Sequence, residues 1–221
     1  MKQKKCKGTG KALNFGCGKY VIKRTYGLCN ECYKNWLFNS EEGKLKINRS
    51  IIKAKKDIEK ETKKLDAEKK IESKSIRGLI IEAKAPFQKL IRIRDHRKTC
   101  ICCDKILPFD LGAYDAGHFK KAELYSGLIF HPDNVHGQTK YCNKYLNGNE
   151  SSYAEGLKNR IGIERFENLV RLSTELKNYK WDRQQLIDLK KYYSSELRLL
   201  ESGNKDISEV DFSIGILAGK K

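Results

Sequence analysis

The chain has 221 residues, with 46 Lys+Arg against 28 Asp+Glu and a formal net charge of +18 at pH 7. That length suits one medium domain or two small ones joined by a linker, and a surplus of positive charge on this scale favours a polyanionic partner, because each neutralised phosphate releases condensed counterions. Nucleic acid is the first reading and an anionic membrane surface the second; a small-molecule substrate is not expected.

No run approaches the roughly eighteen consecutive apolar residues that a bilayer span requires. The basic start, Met1-Lys2-Gln3-Lys4-Lys5-Cys6-Lys7, is not followed by the apolar stretch of a signal peptide. The expected location is therefore the reducing cytoplasm. In that compartment the eight cysteines read as metal ligands or free thiols rather than disulfides.

Residues 1–40 hold Cys6, Cys17, Cys29 and Cys32, a C-x10-C-x11-C-x2-C series. A segment this short buries little core, so a metal is expected to hold it together. Four thiolates match tetrahedral Zn²⁺, and the x2 spacing lets one tight turn present two sulfurs to one ion. A redox pair at Cys29 and Cys32 is the weaker reading, because no βαβ pattern surrounds it. Four thiolates leave no open position for water, so the role is structural. The neighbouring lysines make this segment a phosphate-contacting candidate, and Tyr33, Trp36 and Phe38 either stack on unpaired bases or pack against the knuckle.

Residues 41–85 form the expected helical linker, with a long charged helix over 41–76. From Lys44 to Lys74 there are twelve Lys/Arg and six Asp/Glu, without Pro or Gly. Ile51, Ile58 and Leu65 recur every seventh position, a thin seam that suits a solvated spacer, a DNA-contacting helix or a homodimer contact. Pro86 suits the first turn of the next helix, whose apolar face is Phe87, Leu90, Ile91 and Ile93.

Residues 86–150 carry the second cluster. Thr99-Cys100-Ile101-Cys102-Cys103-Asp104 is followed by Asp115-Ala116-Gly117-His118-Phe119, and Leu128-Ile129-Phe130 reads as a short strand. Next come Asp133-Asn134-Val135-His136-Gly137-Gln138-Thr139-Lys140-Tyr141-Cys142-Asn143 and Leu146-Asn147-Gly148-Asn149. Residues 151–201 return to helix, broken near Gly162, with Asp182 a good N-cap for a last helix whose face is Leu186, Leu189, Tyr193, Leu197 and Leu200. Residues 202–221 lack periodicity and are expected to be a loose tail. The architecture is thus α+β and mostly helical: a zinc module, a helical linker, a small hairpin with its own knuckle, and C-terminal helices.

The order of a knuckle, a His ending one strand, an Asn sixteen residues on and a Cys-led helix resembles the HNH (His-Me finger) motif, in which a ββα hairpin clasps one catalytic divalent ion. The segments Asp115–Phe119, Asp133–Gln138 and C-N-x2-L-x-G-N tighten the match: they resemble the NinG (Rap) recombination proteins of lambdoid phages. The resemblance covers roughly residues 1–200. It implies an endonuclease that cuts branched DNA, including Holliday junctions and displacement loops, in the cytoplasm of a bacterial host.

Phosphodiester hydrolysis needs a base for water and positive charge near the phosphate. His118 is the expected base, since an imidazole of ordinary pKa about 6.5 accepts a proton at neutral pH. Asn134 is the candidate to orient its other nitrogen. Asp115 and Asn143 are the expected ligands for Mg²⁺ or Mn²⁺, hard ions that prefer oxygen, although Asp115 equally suits a turn cap. His136 is placed near the chemistry or a substrate phosphate, with a structural hydrogen-bonded role as its alternative. Lys120, Lys121, Lys140, Lys144 and Asn149 are the expected DNA contacts. Cys100, Cys103 and Cys142 form the second zinc knuckle. Its fourth ligand is open, because position 139 is Thr; Cys102 is adjacent but on the wrong side of a tight knuckle, His136 is one alternative, and a site without zinc is another. Two further readings stand beside the nuclease: a zinc-dependent nucleic-acid binder without activity, and an HNH nuclease for ordinary duplex.

Overall fold

The structure, a computed structural model, describes residues 2–217. The chain divides into two compact units, Met1–Ser73 and Lys74–Lys221. The segment read as one linker, 41–85, therefore straddles two units.

In the first unit, β1 (Lys4–Lys5) pairs antiparallel with β2 (Tyr20–Val21), and α1 (Asn30–Asn39) follows. The core is small, made of Cys6, Ala12, Leu28 and Trp36 with Tyr33 and Leu37 against them. α2 (Glu41–Glu72) is the long charged helix, started by Ser40, whose hydroxyl accepts the Gly43 amide at 3.0 Å. Ile51, Ile58 and Leu65 on α2 are exposed.

The second unit opens with α3 (Ile76–Arg94), which Ser75 caps by accepting the Gly78 amide at 3.1 Å. Pro86 lies inside this helix and does not begin it. An interior proline costs about 3 kcal/mol. That cost is outweighed by one continuous apolar face, Leu79, Ala83, Phe87, Leu90 and Ile91, all buried; each large side chain contributes about 1.5–3 kcal/mol. The face packs on Leu186, Leu189, Tyr193 and Leu197 of α6 (Arg183–Glu201). A capping box joins Asp182 and Gln185 at the start of α6.

Between these helices, β3 (Tyr114–His118) pairs antiparallel with β4 (Val135–Thr139), in the register Tyr114↔Thr139, Gly117↔His136 and His118↔Val135. Leu128-Ile129-Phe130 is not a strand. It is buried in a chain of short turns, with Leu128 N donating to Tyr125 O and His131 N to Leu128 O. The run is apolar because it fills the core, and its backbone finds its partners locally.

A π-helical turn (Tyr141–Tyr145) leads to α4 (Glu150–Ile161) and α5 (Ile163–Glu175). Gly162, at φ +85°, makes the break between the two helices. Gly156 lets α4 approach the knuckle, since a Cβ there would meet the Ile101 carbonyl oxygen at 1.8 Å. The expected loose tail is ordered through 217. Asp206 and Asp211 cap short turns, Val210 is buried, and Phe212 packs on Phe87. Residues 218–221 lie outside the described residues. No helix among the described residues is long and apolar enough to cross a membrane.

Tyr153 of α4 ties the hairpin together. Its buried hydroxyl donates to Gly117 O (2.8 Å) and accepts from His136 N (3.0 Å), one paired position on each strand. Tyr153→Phe strands a buried amide and is expected to cost about 1–3 kcal/mol. A urea titration reads this as a lowered midpoint, and an unchanged midpoint contradicts it.

Candidate active-site pocket and metal centres

The four N-terminal cysteines converge, with all ligand atoms within 4.8 Å of one another. Cys6 follows β1, and Cys29 and Cys32 sit at the start of α1. Cys17 Sγ and Cys29 Sγ are 3.8 Å apart, which is about the edge of a tetrahedron with metal–sulfur bonds near 2.3 Å. The Cys29 amide donates to Cys6 Sγ at 3.1 Å. Burial opposes ionisation of Cys6, yet the amides of Cys29 and Cys17 bring its thiol down to about 7. The donor set fits Zn²⁺ in a closed site.

Cys100, Cys103 and Cys142 converge in the same way in the second unit. Contact with Cys102 is the largest influence on Cys100, and burial is outweighed by the Thr139, Cys102 and Cys103 amides, so the thiol is drawn down to about 4. These two clusters are the groups of three or more His, Cys, Asp or Glu donors that converge tightly among the described residues.

β3 delivers His118 to the wall of a cavity of about 260 Å³, shared with Lys84, Gln88, Lys121, Glu123, Asn143 and Asn147. His118 Nε2 lies 3.1 Å from the Ile129 carbonyl. A carbonyl only accepts, so Nε2 carries the proton and Nδ1 keeps the lone pair. Burial, and then the charge of Lys84, lower the His118 pKa to about 4. The ring is neutral at physiological pH.

The orienting group is thus the Ile129 carbonyl, not Asn134. Asn134 is buried and holds the inter-strand loop instead: its Oδ1 accepts from Lys120 N (2.7 Å), and its Nδ2 donates to Lys120 O and Leu128 O (both 3.0 Å). His136 is not in the cavity either. Its Nδ1 accepts from Arg94 Nη2 at 3.0 Å and lies 3.6 Å from Asp95. It is neither a fourth zinc ligand nor a substrate contact, because the alternation of β4 turns it into the interior. Although burial works against its charge, Asp95 is held well below the usual carboxylate range by the hydrogen-bonded Arg94 guanidinium.

Burial lowers the His136 pKa to about 4, and Nε2 has no partner. The sign follows. The folded chain binds fewer protons than the unfolded chain between pH 6.5 and 4, so stability is complete above 6.5 and falls towards 4. The loss is on the order of 3 kcal/mol for this one group. His136→Gln is expected to flatten the melting temperature's dependence on pH over that window relative to wild type; parallel curves contradict the assignment.

Asn143 lines the cavity and donates to Asp115 Oδ2 at 2.9 Å, so the two expected oxygen ligands are neighbours. Lys121 Nζ reaches Asn147 Oδ1 (2.9 Å) and Lys120 Nζ reaches Glu150 (2.9 Å). Lys140 and Lys144 are exposed. Asn149 stands at the head of α4 in the left-handed region, at φ +47°, without a side-chain cap bond. Lys84, Gln88 and Glu123 are cavity residues that sequence reasoning missed.

Fold and site together define a basic, mostly helical protein with two metal-competent cysteine centres and a hairpin histidine on a polar cavity. Residues 1–203 match the family described as Bacteriophage Lambda NinG protein. The chain belongs to that family. It is similar to Protein ninG of Salmonella phage P22, 27% identical over 127 residues, 58% of this chain and 60% of that protein. Protein ninG of Escherichia phage lambda is 26% identical over 127 residues, 58% and 59% of the two chains. Protein ninG of Enterobacteria phage H19B is 31% identical over 90 residues, 41% and 43%. The chain spans about 60% of the length of the first of these relatives. No solved structure matches.

Proposed function

We propose that this protein is a metal-dependent endonuclease that cuts branched recombination intermediates, Holliday junctions and displacement loops among them, in the cytoplasm of a bacterial host. The observation that carries the reading is His118, a neutral imidazole of fixed tautomer on a cavity flanked by Lys84 and Lys121. Membership of a lambdoid-phage family agrees with it. His118 Nδ1 takes the proton from water as the water oxygen bonds to phosphorus and the bond from phosphorus to the leaving sugar oxygen breaks. Lys84 and Lys121 supply positive charge to the scissile phosphate. Asp115 and Asn143, both oxygen donors, would hold Mg²⁺ or Mn²⁺, which when bound adds positive charge beside the phosphate and leaving oxygen. Lys140 and Lys144 suit the flanking backbone, and a homodimer suits the two-fold character of a junction.

One observation favours a second reading, nucleic-acid binding without cleavage. Asp115 and Asn143 are bonded to each other, and Asp115 belongs to no convergent group of three or more His, Cys, Asp or Glu donors among the described residues. A panel of labelled duplex, fork, displacement-loop and four-way DNA, each with Mg²⁺ or Mn²⁺, tests the proposal. Faster cutting of the branched substrates is expected; equal cutting of plain duplex removes the structure selectivity.

A further inference from the structure

The two cysteine centres differ at one corner. Cys6, Cys17, Cys29 and Cys32 complete a tetrahedron of sulfurs, whereas Cys100, Cys103 and Cys142 leave one position without a thiolate. Two side chains that might fill it stand outside the convergent group. Cys102 touches Cys100 alone of the three, and its Sγ accepts from Gln138 Nε2 at 2.8 Å and lies 3.7 Å from the Gly148 carbonyl. His136 Nδ1 faces Arg94.

Thr139, the last residue of β4, is at the cluster. Its amide donates to Cys100 Sγ at 3.3 Å, and its Oγ1 is 3.8 Å from the same sulfur. The hydroxyl accepts from the Cys142 amide at 3.3 Å. With metal–sulfur bonds near 2.3 Å and metal–oxygen bonds near 2.1 Å, a sulfur and an oxygen on one tetrahedral ion lie about 3.6 Å apart. At Cys100 the hydroxyl, 3.8 Å from the sulfur, is close to that spacing.

We infer that Thr139 Oγ1 is the fourth, neutral oxygen ligand of a three-thiolate zinc centre, which makes this the exchangeable one of the protein's two metal sites. A hydroxyl binds zinc more weakly than a thiolate does, and water or a small thiol can displace it. The first centre, closed by four thiolates, holds its ion longer. The inference does not depend on the nuclease reading. It bears on the cavity all the same, because Cys142 is followed by Asn143, which lines the wall beside His118.

The test is metal release from the full chain into a colorimetric chelator, with total zinc counted first. The wild type is expected to carry two zinc ions and to release them in two phases. Thr139→Cys completes the fourth thiolate and is expected to slow the fast phase about tenfold or more, leaving the slow phase alone. Thr139→Val removes the oxygen and is expected to speed the fast phase by about tenfold. Cobalt substitution gives a readout that does not depend on release: the sulfur-to-cobalt absorption of the second centre rises in Thr139→Cys to match that of the first. Two ions released at one rate in the wild type, a fast phase unmoved by either variant, or a chain that takes up one zinc only, overturns the assignment.

Discussion

Replacing His118 with alanine is expected to lower strand cleavage by about 100- to 10,000-fold, the usual contribution of a positioned general base, while DNA affinity stays near that of the wild type. The imidazole contributes little to binding because it is uncharged: burial and the neighbouring Lys84 keep its pKa at about 4. Affinity in a chain of net charge +18 comes from its lysines and arginines. The substitution removes a ring held by one backbone carbonyl, at 3.1 Å from Ile129 O. β3 is also anchored by its five-residue register with β4 and by Tyr153, so the hairpin remains. Single-turnover cleavage and a salt-titrated binding curve, measured on the same preparation, separate the two effects. Cleavage within a few-fold of wild type contradicts the assignment of the base. The low pKa also predicts a pH–rate profile whose acidic limb lies below the ordinary histidine value of about 6.5.

Cys6→Ala is expected to have the largest structural effect. Cys6 is fully buried, its sulfur takes the Cys29 amide at 3.1 Å, and it is one corner of the first cluster. The segment around it buries Ala12, Leu28 and Trp36 and little else. Structural zinc contributes on the order of 10 kcal/mol to domains of this kind, more than the two large buried side chains Leu28 and Trp36 at about 1.5–3 kcal/mol each. Loss of one zinc equivalent is expected, together with unfolding of residues 2–40, which limited proteolysis detects as rapid cleavage confined to that segment. The core of α3 and α6 is separate from that cluster, so its thermal transition is expected to persist. Unchanged protease resistance with the metal lost contradicts a metal-dependent module.

The parts of this molecule that follow from local spacing were legible in the sequence. Four cysteines at C-x10-C-x11-C-x2-C converge as expected, and Gly162 and Asp182 end and begin helices where their chemistry suggests. The parts that depend on tertiary packing were not. Pro86 looked like a helix start because its cost is local, whereas the face that outweighs it, Leu79 to Ile91, is seen only once α6 covers it. That misplaced start also hid Lys84, which enters the His118 cavity from the turn before Pro86. Asn134 and His136 are polar residues within a motif, and polarity there suggested chemistry. Both are buried, Asn134 just before β4 and His136 within it, one fastening the loop backbone and the other bonded to Arg94. The Ile129 carbonyl that orients His118 carries no side-chain signature, so nothing in the residue order announces it.

The fate of an end-labelled four-way junction incubated with the full chain and Mg²⁺, resolved on a denaturing gel, decides whether this protein cuts branched DNA. Discrete strand cuts near the branch point are expected, dependent on the divalent ion and abolished by chelation. A junction that the protein binds and retards, yet leaves intact across the full range of Mg²⁺ and Mn²⁺ concentrations, contradicts the nuclease activity and leaves a nucleic-acid-binding protein in its place.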